Sequence, residues 1–141
     1  MIEMSGHWIG FYTYGPKYPE LYKFITVPFN AWLEKGFKKF VGKISEEVEF
    51  GGIDDEAVIR GEINGDEIEF TKYYTQEHIG DYDGGTQSFE SENPTIVYYK
   101  GKYFYEEAKF KGDWMIPSLR EEDDGVFHED NSSGKWEMWR T

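Results

Sequence analysis

Apolar and polar residues alternate along most of the chain, in short runs separated by turn-forming residues. A period of two belongs to strands with one buried face, and the longer period of an amphipathic helix is weak throughout. The pattern predicts eight strands, at about 6–14, 22–30, 37–46, 56–63, 67–75, 95–100, 103–117 and 134–141. The clearest hairpin is Arg60–Phe70, where Asn64-Gly65 suits the two positive-φ positions of a tight turn. That register sets Ile59 against Phe70, Gly61 against Ile68, Arg60 against Glu69 and Glu62 against Glu67. A second hairpin spans Thr95–Tyr105 around Gly101, and a third turn falls at Glu34-Lys35-Gly36. Pro28 and Pro117 suit bulges or strand edges. Short strands joined by short turns make a meander, and a meander of eight can close on itself and lose its exposed edges. The expected fold is all-β: one domain over 1–141, a closed eight-stranded antiparallel up-and-down barrel.

Parity then assigns an inside. Trp8, Gly10, Tyr12 and Tyr14 point inward from the first strand, and Phe40, Gly42 and Ile44 from the third. The central hairpin contributes Ala57, Ile59, Gly61, Ile63, Ile68, Phe70, Lys72 and Tyr74. Val97, Tyr99, Phe104, Glu106, Ala108, Phe110 and Trp114 follow, then Trp136, Met138 and Arg140. Gln76–Pro94 reads as a long polar loop, and Glu121–Asp124 with Gly125 as an acidic tip.

Composition narrows the function. The 141 residues carry a net charge of −13, which disfavours nucleic acid and anionic membranes as partners. There is no cysteine, so neither a disulfide framework nor a thiolate metal site is expected. No stretch has the apolar length of a membrane span, and the opening Met-Ile-Glu-Met-Ser-Gly has no signal-peptide character, so the cytoplasm is the expected location. Aromatic residues make up 19 % of the chain, which suits strands first and ligand walls second.

Gly-x-Trp occurs three times, at Gly6-His7-Trp8, Gly112-Asp113-Trp114 and Gly134-Lys135-Trp136. With eight strands and a basic residue on the last, this pattern resembles the calycin group: lipocalins, fatty-acid-binding proteins and avidins. The resemblance implies that Gly6, Trp8 and Arg140 close one end of the barrel, with the Arg140 guanidinium over the Trp8 indole. Gly15–Leu21 is too short for the helical pair of a fatty-acid-binding protein, and no biotin-binding set maps onto the chain. Gly6-x-Trp8-x-Gly10 with Tyr18-Pro19 is also similar to the opening of nitrobindin-type haem barrels, without that family's later pattern.

Among the inward residues, Lys72 and Glu106 stand out, because a buried charge is costly unless paired or wet. Paired among Tyr12, Tyr14, Tyr74 and Tyr99, with Phe70 and Phe104 nearby, they would make a polar anchor in an aromatic pocket. The expected function is therefore non-catalytic binding of a small amphipathic ligand. The alternative is a structural or interaction module whose barrel is filled by its own side chains, a homodimer for instance, with Tyr73, Tyr103, Tyr105 and Trp139 as the contact patch. His7, His78 and His128 fit no zinc spacing, and Asp81-x-Asp83-Gly84 and Asp123-Asp124-Gly125 lack a full calcium loop. No metal or other cofactor is expected. No nucleophile–base constellation is apparent, which argues against an enzyme.

Overall fold

The computed structural model describes residues 2–15, 21–22, 25–46, 56–74, 76–80, 86–90, 96–117, 119–121, 127–129 and 132–141. Eight strands form a closed antiparallel barrel: β1 (Gly6–Tyr14), β2 (Thr26–Lys35), β3 (Lys39–Glu46), β4 (Ala57–Asn64), β5 (Glu67–Tyr74), β8 (Ile96–Phe104), β9 (Lys109–Ile116) and β12 (Ser132–Arg140). Two small hairpins lie between them in the chain, β6 (Gln76–Gly80) with β7 (Thr86–Glu90), and β10 (Leu119–Glu121) with β11 (Phe127–Glu129). Each barrel strand pairs with the next barrel strand in sequence, and β1 closes the ring on β12. The expected all-β, up-and-down barrel is the observed one. The stretch read as a loop over 76–94 holds β6 and β7, and His78 and His128 lie in strands rather than loops.

The two barrel ends differ. At one, β2–β3, β4–β5 and β8–β9 are joined by only a few residues; at the other lie all four long connections. The β4–β5 turn is Gly65-Asp66, with Gly65 alone at positive φ (66°), not Asn64-Gly65. A positive-φ glycine in the first central position also matches the twist of a hairpin. The register moves by two residues, so both faces are kept while partners change. Ile63 now faces Ile68, whereas the Asn-Gly turn would have set Asp66 there. The expected Arg60–Glu69 pairing is replaced by Glu62 opposite Glu69, and each meets a lysine on its outer neighbour: Lys39–Glu62 at 3.9 Å and Lys100–Glu69 at 3.4 Å.

The β8–β9 turn is Tyr105–Ala108, not Gly101, which lies in β8 opposite both Ile68 and Gly112. This corrects the inward assignment of Phe104, Glu106 and Ala108, which are exposed. Counting back from Phe110 by twos carried the parity through the turn, where alternation stops. Tyr103 takes the inward place on β8, packs on the core and meets the Phe110 ring at 4.9 Å. β2 begins four residues later than expected and buries Val27, Phe29, Ala31 and Leu33. Pro28 lies just past the end of the β2–β3 ladder, which starts at Phe29 opposite Glu46, so it occupies a local edge.

Two Gly-x-Trp motifs turn out to be partners. β9 and β12 run antiparallel with Gly112 opposite Trp136 and Trp114 opposite Gly134. A Cβ on Gly134 would sit 2.4 Å from the Trp114 indole nitrogen, and one on Gly112 would sit 1.9 Å from the Lys100 carbonyl oxygen. Each glycine therefore makes room across the ladder rather than for the tryptophan that follows it. The middle residues, Asp113 and Lys135, point outward and form an ion pair. Trp114 donates its indole N–H to the Thr13 carbonyl (2.8 Å), and Trp136 to those of Asp113 (3.1 Å) and Lys100 (3.3 Å). No buried indole donor is wasted in these two, as burial requires. Gly112→Ala should therefore destabilise the barrel by about 1–3 kcal/mol. Gly36→Ala, whose new methyl would meet nothing closer than 3.7 Å, should stay within about 0.5 kcal/mol. Urea unfolding of both variants measures the contrast.

Candidate functional site

Four buried polar side chains meet inside the barrel on the long-connection side. Along β3 the inward residues run Phe40, Gly42, Ile44, Glu46; along β5 they run Ile68, Phe70, Lys72. On both strands the last described inward position is therefore charged. Lys72 Nζ donates to Glu46 Oε1 at 2.7 Å, and both side chains are almost wholly buried, 4 % and 1 % exposed. Lys72 also donates to the Tyr99 hydroxyl, and the Tyr12 hydroxyl donates to Glu46. The ammonium lies 4.9 Å from the centre of the Tyr12 ring and 5.5 Å from that of Tyr99. Its charge is thus met by a carboxylate, a hydroxyl and two ring faces.

Aromatic rings bound this group on both sides. Towards the short turns, Phe70 stacks on Tyr99 at 4.5 Å, and Trp136 meets both edge-on at 5.2 and 5.8 Å. Phe40 closes against Phe70 at 6.1 Å. Towards the long connections, Tyr14 meets Tyr12, Tyr22 and Trp114 edge-on at 5.9, 5.1 and 6.0 Å. Tyr14 is half-buried and Tyr22 is exposed at the rim, while Trp114 is buried.

The structure thus brings together Tyr12, Tyr14, Phe70, Lys72 and Tyr99 of the expected set. It does not bring Glu106, which is exposed in the β8–β9 turn at the opposite end, or Phe104, which is 42 % exposed there. Lys72 pairs with Glu46 instead. Glu46 was discoverable: it continues the same parity two residues beyond Ile44, at the end of the expected strand. Tyr74 lies opposite Ala57, with its side chain outside the described residues, as are Asp81, Asp83 and 122–126. Trp8 is buried and donates to the Met4 carbonyl at 2.9 Å. Arg140 is Trp8's cross-strand partner, on the same face but exposed at the strand end; its guanidinium lies 3.1 Å from where a Cβ on Gly6 would sit and donates to the Glu3 carbonyl at 2.9 Å. His7 points outward, stacks on Trp32 at 5.1 Å and bonds Asn30. Among the described residues no group of three or more His, Asp or Glu could hold a metal ion, and no helix is long and apolar enough to cross a membrane.

Burial holds both phenols protonated. The Tyr12 pKa is raised chiefly by desolvation and further by the Glu46 charge; that of Tyr99 is raised by desolvation, with Lys72 pulling the other way. Above about pH 10, tyrosines in the unfolded chain ionise while these two do not. The unfolded state then binds fewer protons, so stability falls as the pH rises further. Tyr12→Phe should make that alkaline loss shallower, as read from urea midpoints across the range. Breaking the pair on one side, by Glu46→Leu or Lys72→Met, leaves a buried charge alone and should cost about 3–5 kcal/mol. The double variant Glu46→Leu/Lys72→Met should regain most of it, which a double-mutant cycle in urea checks. Compared with protein-family models, with curated proteins and with solved structures, the chain matches none.

Proposed function

We propose that this barrel binds a small amphipathic molecule, entering from the long-connection end and placing its polar group near Tyr12, Glu46, Lys72 and Tyr99. The observation that carries the reading is the buried Lys72–Glu46 pair itself. An apolar pair of similar volume would hold a barrel as well or better, so stability alone gives no reason to keep charges there. A few polar groups set among aromatic walls is the usual composition of a small-molecule site. The same arrangement gives no catalytic role to any described residue, so the function proposed is binding. Kinship with the calycin group is part of this proposal: it is supported by the strand order and by Gly6, Trp8 and Arg140 meeting where β1 closes on β12. A cytoplasmic setting fits a cysteine-free chain of charge −13.

One observation favours the second reading, a structural or interaction module. Phe40, Phe70, Tyr99 and Trp136 fill the interior where they meet, and a groove of about 440 Å³ lies outside the barrel at the short turns. Phe37 and Tyr105 line it, 89 % and 68 % exposed. Of the aromatics expected in a contact patch, Tyr105 alone is well exposed; Tyr73, Tyr103 and Trp139 are half-buried.

Native mass spectrometry of protein purified from its own host separates the two readings. A retained small molecule is expected on the wild type and is expected to be absent from the folded Glu46→Leu/Lys72→Met variant. A bare mass for both, or an equal adduct on both, sinks the interior site.

A further inference from the structure

We infer that the groove at the short-turn end is a binding site for a small apolar carboxylate, independent of the interior site at the other end. Its lining comes from the N-terminal segment and from the β2–β3, β4–β5 and β8–β9 turns. The two isoleucines in it, Ile2 and Ile63, pack on or belong to the core, while the rings of Phe37 and Tyr105 stand exposed. The walls are bonded to their neighbours. The Ile63 amide donates to the Lys38 carbonyl (2.9 Å), the Tyr103 amide to that of Asp66 (2.7 Å) and the Lys35 amide to the Ser5 hydroxyl (3.0 Å). The β2–β3 turn is thus tied to β4, the β4–β5 turn to β8 and the N-terminal segment to β2, so the groove is formed before anything enters it. Its volume of about 440 Å³ falls within the roughly 300–1,000 Å³ of small-molecule sites.

Charge sets the class of ligand. The chain has 28 acidic and 15 basic residues, yet among the described residues the lining holds two lysines, Lys35 and Lys38, and no acid. Acids close by are engaged elsewhere, Glu62 with Lys39 and Asp66 with Lys102. The charge of Lys35 also reaches the Glu3 carboxylate. The Lys38 ammonium meets no carboxylate among the described residues and lies 5.8 Å from the centre of the Phe37 ring. Lys38 also sits at a φ of 59°, in the left-handed region that glycine or asparagine fills with less strain. A turn selected for its shape alone would not favour lysine there. A carboxylate beside Lys38, with its apolar body on Phe37 and Tyr105, would answer the charge and cover the rings together. A protein partner fits less well. A stable interface buries upwards of about 1,000 Å², and a second copy seated groove to groove would set these lysines against one another.

Three probes of one shape test this site: 2-naphthylacetate, 2-naphthylethanol and 2-naphthylethylammonium. Each is titrated into the full chain while NMR follows the amide resonances of Phe37 and Tyr105 and the ring resonances of Tyr12 and Tyr99. The acetate should move Phe37 and Tyr105 and bind about fivefold more tightly than the alcohol at low salt, with the ammonium weakest, and the gap should close as salt rises. Lys38→Asn, which suits the left-handed backbone, should bring the acetate down to the alcohol. Phe37→Ser, at an exposed ring, should weaken all three probes several-fold without loss of fold. Equal binding of the alcohol or the ammonium at these resonances, or no movement of them with any probe, overturns the assignment. Shifts confined to Tyr12 and Tyr99 overturn it in favour of the interior site. Shifts of Phe37 and Tyr105 on raising the protein concentration without probe overturn it by giving the groove to a second copy.

Discussion

A narrow barrel cannot hold large rings on every strand. Its inward positions face one another across a short distance, so each indole or phenyl needs a place where the opposing strand has no side chain. The reciprocal pairing of Gly112 with Trp136 and Trp114 with Gly134 is the plainest case. It ties these two strands into one register, because a shift of two residues one way would set indole against indole, and the other way would leave a void between the glycines. The same rule holds at Gly61, whose missing side chain leaves space for Phe40 and Phe70. Filling the interior with rings in this way buries the Lys72–Glu46 pair, and burial is what gives the pair its energetic weight.

That pair sits at a boundary. On the short-turn side of it every buried inward residue among those described is apolar or glycine; on the other side come Tyr14 and Tyr22. Opposite charges at the boundary terminate the apolar column without exposing it. The ammonium and carboxylate compensate each other, and the two hydroxyls take up remaining hydrogen-bonding capacity. The result is a strongly polar floor, closed by one carboxylate and one ammonium, beneath the half-buried Tyr14.

The eight barrel strands, their meander order and closure followed from alternation, because a buried face imposes a period of two on any strand; β6, β7, β10 and β11 did not. Parity also placed Lys72, Tyr12 and Tyr99 inside. What alternation does not encode is where it stops. Gly101 looks like a turn residue, yet it is needed inside β8, where the Trp136 ring passes 2.8 Å from the place of its missing Cβ. A turn at Gly101 would send Glu106 inward, whereas Glu46 simply continues the parity of Phe40, Gly42 and Ile44 to the end of β3. Likewise Asn64-Gly65 and Gly65-Asp66 are both competent hairpin turns, and only the opposition of Ile63 to Ile68 decides between them. Local turn chemistry proposed the alternatives, and long-range packing chose.

The ladder between β1 and β12 joins the two most distant strands of the chain, with Trp8 opposite Arg140 and the Thr141 amide donating to the His7 carbonyl at 3.1 Å. Every other ladder of the barrel joins consecutive barrel strands. The order of strands around the barrel is therefore a cycle, and the covalent chain is that cycle with one connection omitted. Joining Gly6 to Arg140 through a short linker and opening the chain at any of the long connections would preserve every pairing. It would also convert the closing ladder from the longest-range contact in the molecule into a hairpin. The loop-closure entropy of folding would then fall on whichever neighbouring pair had been cut, and the rate of barrel closure with it.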